Sequence, residues 1–149
     1  MSQTTKILLF YKYISLPNVA EIRLAQKLLC QHLELKGRLL LAEEGINGTL
    51  AGTPGNIDAY IAETSKIPEF VDLEWKISWA DEQVFPKLRV VIRDEIVTLG
   101  VKKTGQDVSI ANKADYIQPA ELRELYENGE DFVIIDARND YEAEIGKFS

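Results

Sequence analysis

Three stretches of this sequence carry side chains whose types and spacing could do chemistry. In the first, residues 42–52, the polar residues Glu43, Glu44 and Asn47 are set among three glycines. Glycine lets a ligand approach the backbone closely, and the carboxylate and amide groups could then bind that ligand. The same residues also predict a β-hairpin, because Asn47-Gly48 accepts the positive φ angles of a tight reversal between two extended runs.

In the second stretch, positive charges are spaced along a β-rich segment. Alternation in a strand would send Lys87, Arg89 and Arg93 to one side and the even-numbered apolar residues between them to the other. Three cations on one strand face could follow a phosphate backbone. The alternative is a solvated face whose charges are balanced by neighbouring carboxylates such as Asp94 and Glu95.

The third stretch is the apolar run Phe132–Ile135, which ends in Asp136-Ala-Arg138. The run predicts a buried strand, and the helical pattern of residues 116–129 before it predicts an α/β unit. In α/β folds, functional groups lie at the C-terminal ends of strands, which is where Asp136 and Arg138 stand. A lone helix and strand cannot bury their faces, so this second domain is predicted to be incomplete.

Neither a disulfide nor a metal-ligand pattern is present, because the chain has one cysteine and one histidine. Cys30 lies in a predicted helix beside leucines, which indicates a structural thiol rather than a nucleophile. His32 has no second ligand nearby in sequence and is interpreted as an ordinary helix residue. No cofactor is identifiable from the residues, and no metal site is predicted.

The elements that must position these groups follow from periodicity. Extended and helical patterns alternate in the order β-α-β-β-α-β, over residues 6–14, 19–36, 39–42, 49–51, 57–66 and 73–79. This is the ferredoxin-like order, which places both helices on one face of an antiparallel sheet and leaves the other face open. Trp75 and Trp79 share one face of the last strand, where they could pack in the core or stack on nucleobases. Residues 85–93 and 96–100 are predicted as additional strands.

Charge divides the chain of 149 residues into two parts. Residues 1–113 hold 14 basic and 14 acidic residues, whereas residues 114–149 hold 3 and 10, which accounts for the whole net charge of −7. A boundary near Ala114 is therefore predicted. The acidic total argues against a general nucleic-acid coat but leaves a local basic face open. No apolar run is long enough to span a membrane, and no signal-peptide core is visible, so the cytoplasm is expected.

Two motifs together resemble a known family. The run from Phe132 to Gly146 (FVIIDARNDYEAEIG) resembles the opening of a rhodanese domain. The run from Ala42 to Gly52 (AEEGINGTLAG), followed by IVTLG at residues 96–100, resembles the N-terminal domain of the rhodanese-like tRNA uridine hydroxylases. The resemblance covers nearly the whole chain.

The resemblance implies an α+β chain in which a ferredoxin-like (βαββαβ) domain, residues 1–108, is joined by a linker, 109–115, to the truncated start of an α/β rhodanese domain, 116–149. It implies an oxidoreductase that uses molecular oxygen to hydroxylate carbon 5 of the wobble uridine in tRNA. The rhodanese cysteine would lie beyond Ser149, so the chain alone is expected to be inactive. Asp136 and Arg138 match the rhodanese motif, in which such a pair fixes the turn after the strand.

The candidate sites then separate by charge. The cations Lys87, Arg89 and Arg93 are the predicted RNA-binding residues. Two carboxylates are poor neighbours for phosphate, so the hairpin is predicted to form an interface instead, through Glu43, Glu44, Gly45, Asn47, Gly48 and Thr49. Two alternatives stay open: a rhodanese-type sulfurtransferase, and a non-catalytic binding module if the chain is complete. The oligomeric state is left open.

Overall fold

A computed structural model describes residues 4–97, 115 and 117–146 of the protein. The chain divides into two units, residues 1–112 and 113–149. Within the described ranges, no helix is both long enough and apolar enough to cross a membrane.

Residues 4–97 of the first unit form a five-stranded sheet covered on one face by two helices. Its elements are β1 (Thr5–Tyr13), α1 (Val19–His32), β2 (Lys36–Ala42), β3 (Gly45–Gly52), α2 (Pro54–Thr64), β4 (Lys76–Ala80) and β5 (Leu88–Ile92). The strand order is β4-β1-β3-β2-β5, and every neighbouring pair is antiparallel except β2 and β5. The predicted α+β class and βαββαβ order are confirmed, and β5 extends the sheet beside β2. The strand predicted at 96–100 is absent at Ile96 and Val97, and its remaining residues lie outside the described ranges.

The first helix is shorter than predicted, because the chain reverses before Gly37. After α1 ends, Glu34 takes a φ of 51° and the amide of Leu35 donates to the Cys30 carbonyl at 2.9 Å. Gly37, the residue just after the predicted helix of residues 19–36, lies inside β2 with a φ of 130°. A Cβ there would lie 2.2 Å from the Thr49 carbonyl oxygen, so the close approach of β3 requires this glycine.

The tight reversal of the hairpin is at Glu43-Glu44, and the prediction that Asn47-Gly48 would form it was wrong. Ala42 pairs with Gly45, which leaves the two glutamates as the loop, whereas Asn47 pairs with Leu40 in the middle of β3. Glycine is needed at position 48 for packing instead, because a Cβ there would meet the Phe10 ring and the Leu39 side chain at 2.6 Å. The packing of Gly48 on the core therefore outweighs the local preference of Asn47-Gly48 for a turn.

The core lies between the sheet and the helices and is centred on Phe10. The Phe10 ring lies 4.9 Å from Trp75 and 5.9 Å from Tyr60, centroid to centroid. The Tyr60 hydroxyl donates to Gln26 Oε1 at 2.6 Å, so a buried polar contact joins the two helices. The tryptophans separate: Trp75 packs on the core, whereas Trp79, near the end of edge strand β4, is 57% exposed.

The second unit contains two short helices, α3 (Pro119–Asn128) and α4 (Asp140–Ile145). Helix α3 ends as predicted at Gly129, which has a φ of 65°. The buried strand predicted at Phe132–Ile135 does not form among the described residues, and Val133 and Ile135 are 86% and 85% exposed. A strand needs neighbours for its backbone hydrogen bonds and for its apolar side chains, and the described residues of this unit supply none.

Candidate nucleic-acid interface

The sheet face that the helices leave open is organised in rows by the strand pairing. One row runs across all five strands as Lys76, Leu9, Thr49, Arg38 and Arg89. Paired residues project to the same face, and Leu9 alternates with core residues Leu8 and Phe10, so this row lies on the open side. The row therefore has cations at both edges and an apolar residue on its central strand.

The central strand β1 presents large apolar and aromatic side chains on this open face. Leu9 is 42% exposed, Tyr11 44% and Tyr13 37%. Tyr11 stands in the next row, which continues through Asn47, Leu40 and Val91. An exposed aromatic group beside cations is the combination that proteins use to stack bases and contact phosphates of unpaired nucleic acid.

The cations of this face form no ion pair with an acidic residue of the described ranges, 4–97 and 117–146. Arg38 and Arg89 are direct neighbours in the parallel pairing of β2 and β5, and both side chains are exposed. The ion pairs found in the described part of the chain involve other residues. None of the strand positions on this face holds Asp or Glu. Like charges placed opposite each other destabilise a sheet. A bound anion would remove the repulsion between Arg38 and Arg89, so the face is suited to bind one.

Of the three cations predicted to bind RNA, only Arg89 lies within a strand. Lys87 precedes β5 and lines a surface cleft together with Lys27 and Lys36. Arg93 follows β5, and its amide donates to the Leu41 carbonyl at 2.8 Å. All three predicted residues have exposed side chains, along one edge of the sheet. Sequence alternation identified the edge strand but could not identify Arg38, which the fold places beside it.

The hairpin side chains are used mainly inside the first unit. Glu44 Oε1 accepts a hydrogen bond from the Ile96 amide at 2.8 Å, and Asn47 Nδ2 donates to the Ile96 carbonyl at 3.2 Å. Gly45 and Gly48 are buried. These contacts attach the segment after β5 to the β2–β3 hairpin. Of the predicted interface residues, exposed Glu43 and half-buried Thr49 are the ones whose side chains are left without such a role.

The loop end of the open face is acidic in character. Partial burial, followed by the nearby charges of Glu44 and Glu95, raises the pKa of Tyr13 above its ordinary value. Phosphate would be repelled at this end and attracted near Arg38 and Arg89. The face is therefore polarised along its strands.

In the second unit, Asp136 and Arg138 form a two-pronged ion pair. Arg138 Nη2 donates to Asp136 Oδ2 at 2.7 Å and Nε donates to Oδ1 at 2.9 Å. Nη2 also donates to the Gly146 carbonyl at 2.7 Å, beyond the end of α4. The pair thus joins the turn before α4 to the residue after it.

This pair predicts a specific titration. Hydrogen bonding to Arg138 lowers the pKa of the Asp136 carboxyl from 3.8 to about 2. A carboxyl whose pKa is lower in the folded state stabilises the fold above its ordinary pKa, and that stabilisation is lost as the pH falls from about 4 through about 2. A carboxyl titration by NMR should give this low midpoint. In Arg138→Gln the midpoint should return toward the ordinary value, and equal midpoints in both proteins would contradict the assignment.

The described residues contain neither an exposed cysteine thiol nor a cluster of metal-binding side chains. Burial raises the pKa of the Cys30 thiol to about 12, and the side chain is 0% exposed, so it is an inert core thiol, as predicted. Across residues 4–97 and 117–146, no group of three His, Cys, Asp or Glu side chains could hold a metal ion.

The sequence of the first unit matches a described family. Residues 5–96 match the model of the UPF0176 acylphosphatase-like domain. The chain belongs to this family. Similar proteins carry the name tRNA uridine(34) hydroxylase: that of Teredinibacter turnerae is 45% identical over 93% of this chain and 42% of its own length. That of Bacillus licheniformis is 38% identical over 99% of this chain and 45% of its own length. The chain thus spans about half the length of the curated relatives it matches.

Solved structures share the fold at low sequence identity. The BLUF protein BlrB in its dark state has a TM-score of 0.53 at 19% identity, covering 85% of this chain and 95% of that one. The BLUF domain of BlrP1 has a TM-score of 0.52 at 12% identity, covering 90% and 97%. These likenesses concern the arrangement of strands and helices alone.

Proposed function

We propose that the full-length protein is a tRNA uridine 5-hydroxylase that modifies the wobble uridine with molecular oxygen as co-substrate. The observation that carries this proposal is the set of relatives, 37–45% identical over nearly the whole chain, that are named tRNA uridine(34) hydroxylase. A tRNA substrate makes the cytoplasm the expected compartment. The reactive cysteine of a rhodanese domain would be supplied by sequence beyond Ser149.

Within this proposal, the first unit binds tRNA and the second unit begins the rhodanese domain, with residues 109–115 as the linker. Exposed cations on an open sheet face, with no carboxylate ion-paired to them in the described part of the chain, support the binding role. The Asp136–Arg138 pair supports the rhodanese assignment, because it fixes the turn between the apolar run and α4. Glu43 and Thr49 remain candidates for an interface.

The function is tested by restoring the modification in cells. A strain deleted for its own uridine hydroxylase should regain 5-hydroxyuridine in digested tRNA, measured by nucleoside mass spectrometry, when it expresses the full-length protein. Oxygen exclusion should abolish the product. Thiosulfate turnover without any hydroxyuridine would instead identify a sulfurtransferase.

Reversal of the three predicted RNA-binding cations should weaken tRNA binding by at least about tenfold at low salt. In Lys87→Glu/Arg89→Glu/Arg93→Glu, each lost phosphate contact should also lower the slope of log affinity against log salt by about 0.7 to 0.9. Electrophoretic mobility shifts of the full-length protein with tRNA at several salt concentrations measure both quantities. The control reverses helix charges, Lys66→Glu/Arg123→Glu, and should retain the wild-type slope. An unchanged slope in the triple variant would remove these residues from the binding surface.

A further inference from the structure

We propose that the open sheet face binds an unpaired stretch of the RNA, with nucleobases on Leu9 and Tyr11 and phosphates at Arg38 and Arg89. This inference rests on the proposed function and specifies which form of RNA the first unit recognises. It adds a stacking surface and a second arginine to the predicted edge cations. The observations behind it are the strand pairing, the exposed fractions of the side chains and the distribution of charge.

The shape of the face suits bases rather than a duplex. Five strands spaced about 4.8 Å apart give a platform about 19 Å wide, with Lys76 at one edge and Arg89 at the other. Between these edges the central strand exposes Leu9 and Tyr11. In a duplex the phosphates are accessible, but the bases are stacked on one another. A duplex therefore offers no exposed base that could contact this apolar centre. Unpaired bases present a flat surface that can lie on Tyr11.

The paired arginines identify the phosphate end of the platform. Arg38 and Arg89 are neighbours in register, and none of the described strand positions on their face holds a carboxylate. Two adjacent guanidinium groups repel each other in the free protein, and a bound phosphate would remove that repulsion. At the opposite end, the carboxylates of Glu44 and Glu95 act on Tyr13. The RNA backbone is therefore expected to cross the sheet at the level of Arg38 and to avoid the hairpin loop.

The stacking component is tested with two RNA probes and the full-length protein. The probes are an anticodon stem-loop and a blunt duplex with the same number of phosphates, and fluorescence anisotropy gives their affinities. Loss of one stacking partner weakens binding about 5- to 150-fold, so Tyr11→Ala should lose this much affinity for the stem-loop. Its affinity for the duplex should stay within about twofold of wild type, and Tyr11→Phe should bind both probes like wild type.

The charge component is tested with Arg38→Glu, which combines two opposite effects. The new carboxylate lies beside Arg89 and replaces a repulsive pair by an attractive one, so the thermal midpoint should equal or exceed that of wild type. Stem-loop affinity should nevertheless fall at least about tenfold, with a shallower salt slope. Lys66→Glu makes the same charge change on an exposed helix end and should leave affinity unchanged. A residue with a purely structural role could not give higher stability together with weaker binding.

The outcomes of these experiments distinguish a failure of the proposed RNA site from a failure of the proposed hydroxylase function. If wild type hydroxylates wobble uridine and both Tyr11→Ala and Arg38→Glu bind the stem-loop normally, the open face is not the RNA site and the function stands. If Tyr11→Ala loses duplex and stem-loop binding equally, the face contacts phosphates alone and base stacking is overturned. If wild type neither binds tRNA nor produces hydroxyuridine, the proposed function itself fails.

Discussion

Truncation of Phe10 to alanine is expected to destabilise the first unit by about 3–5 kcal/mol, the cost typical of a phenylalanine removed from a packed core. Its ring is 1% exposed and contacts both Trp75, at 4.9 Å, and Tyr60, at 5.9 Å. Gly48, its partner on β3, lies against the ring, because an added Cβ there would meet it at 2.6 Å. Because β1 is the second strand of the sheet and is paired on both sides, the backbone cannot move in to fill the space.

The neighbouring residue supplies a matched control in the same strand. Tyr11→Ala removes an aromatic ring of similar size from the open face, where it is 44% exposed, and should cost far less, about 1 kcal/mol. Urea unfolding followed by circular dichroism measures both changes. Equal destabilisation by the two variants would mean that the two faces of β1 are equally buried, contrary to the structure.

Replacement of Gly45 by alanine should destabilise the first unit by about 2–5 kcal/mol through steric overlap and backbone strain. Gly45 has a φ of 148°, and an added Cβ would lie 2.1 Å from the Lys12 carbonyl oxygen, at the end of the β1–β3 pairing. The strands would have to separate where Tyr13 pairs with Gly45. Amide exchange of β1 and β3, measured by NMR, should accelerate along with the loss of stability.

A second glycine provides the contrast. Gly55 lies in α2 with no atom within 4 Å of an added Cβ, so Gly55→Ala should stabilise the chain by about 0.5–1 kcal/mol. If instead Gly45→Ala kept wild-type stability but lost RNA affinity, the glycine would serve ligand approach, as one interpretation of the sequence allowed.

The order of strands and helices in the first unit could be predicted from the sequence. Each element buries one face, so its apolar residues recur with the period of that element. The helix beginning at Pro54 and the strand beginning at Thr5 illustrate this. Turn positions were less predictable. Asn47-Gly48 has strong turn chemistry, yet the pairing of Ala42 with Gly45 places the reversal at Glu43-Glu44, four residues earlier. Competition between a local preference and core packing cannot be resolved from local sequence alone.

The candidate site was predicted only where one strand carried it. The sequence could predict which face of the sheet Arg89 occupies, because side chains along β5 alternate between the two faces. Arg38 and Lys76 lie in the same row only because of the strand order, which is a long-range property. The buried strand predicted before Asp136 does not form in the structure, because a strand requires partners as well as an apolar composition, and the described chain does not supply them.

The rate at which the buried thiol of Cys30 is alkylated can report how often the core of the first unit opens. With no exposed surface and a pKa of about 12, the sulfur can be alkylated only after the layer between α1 and the sheet has parted. Cys30 is the sole cysteine of residues 1–149, so a protein limited to these residues gives a single labelling rate without any engineered probe. Slower labelling when nucleic acid is added would show that occupancy of one side of the sheet is felt on the other.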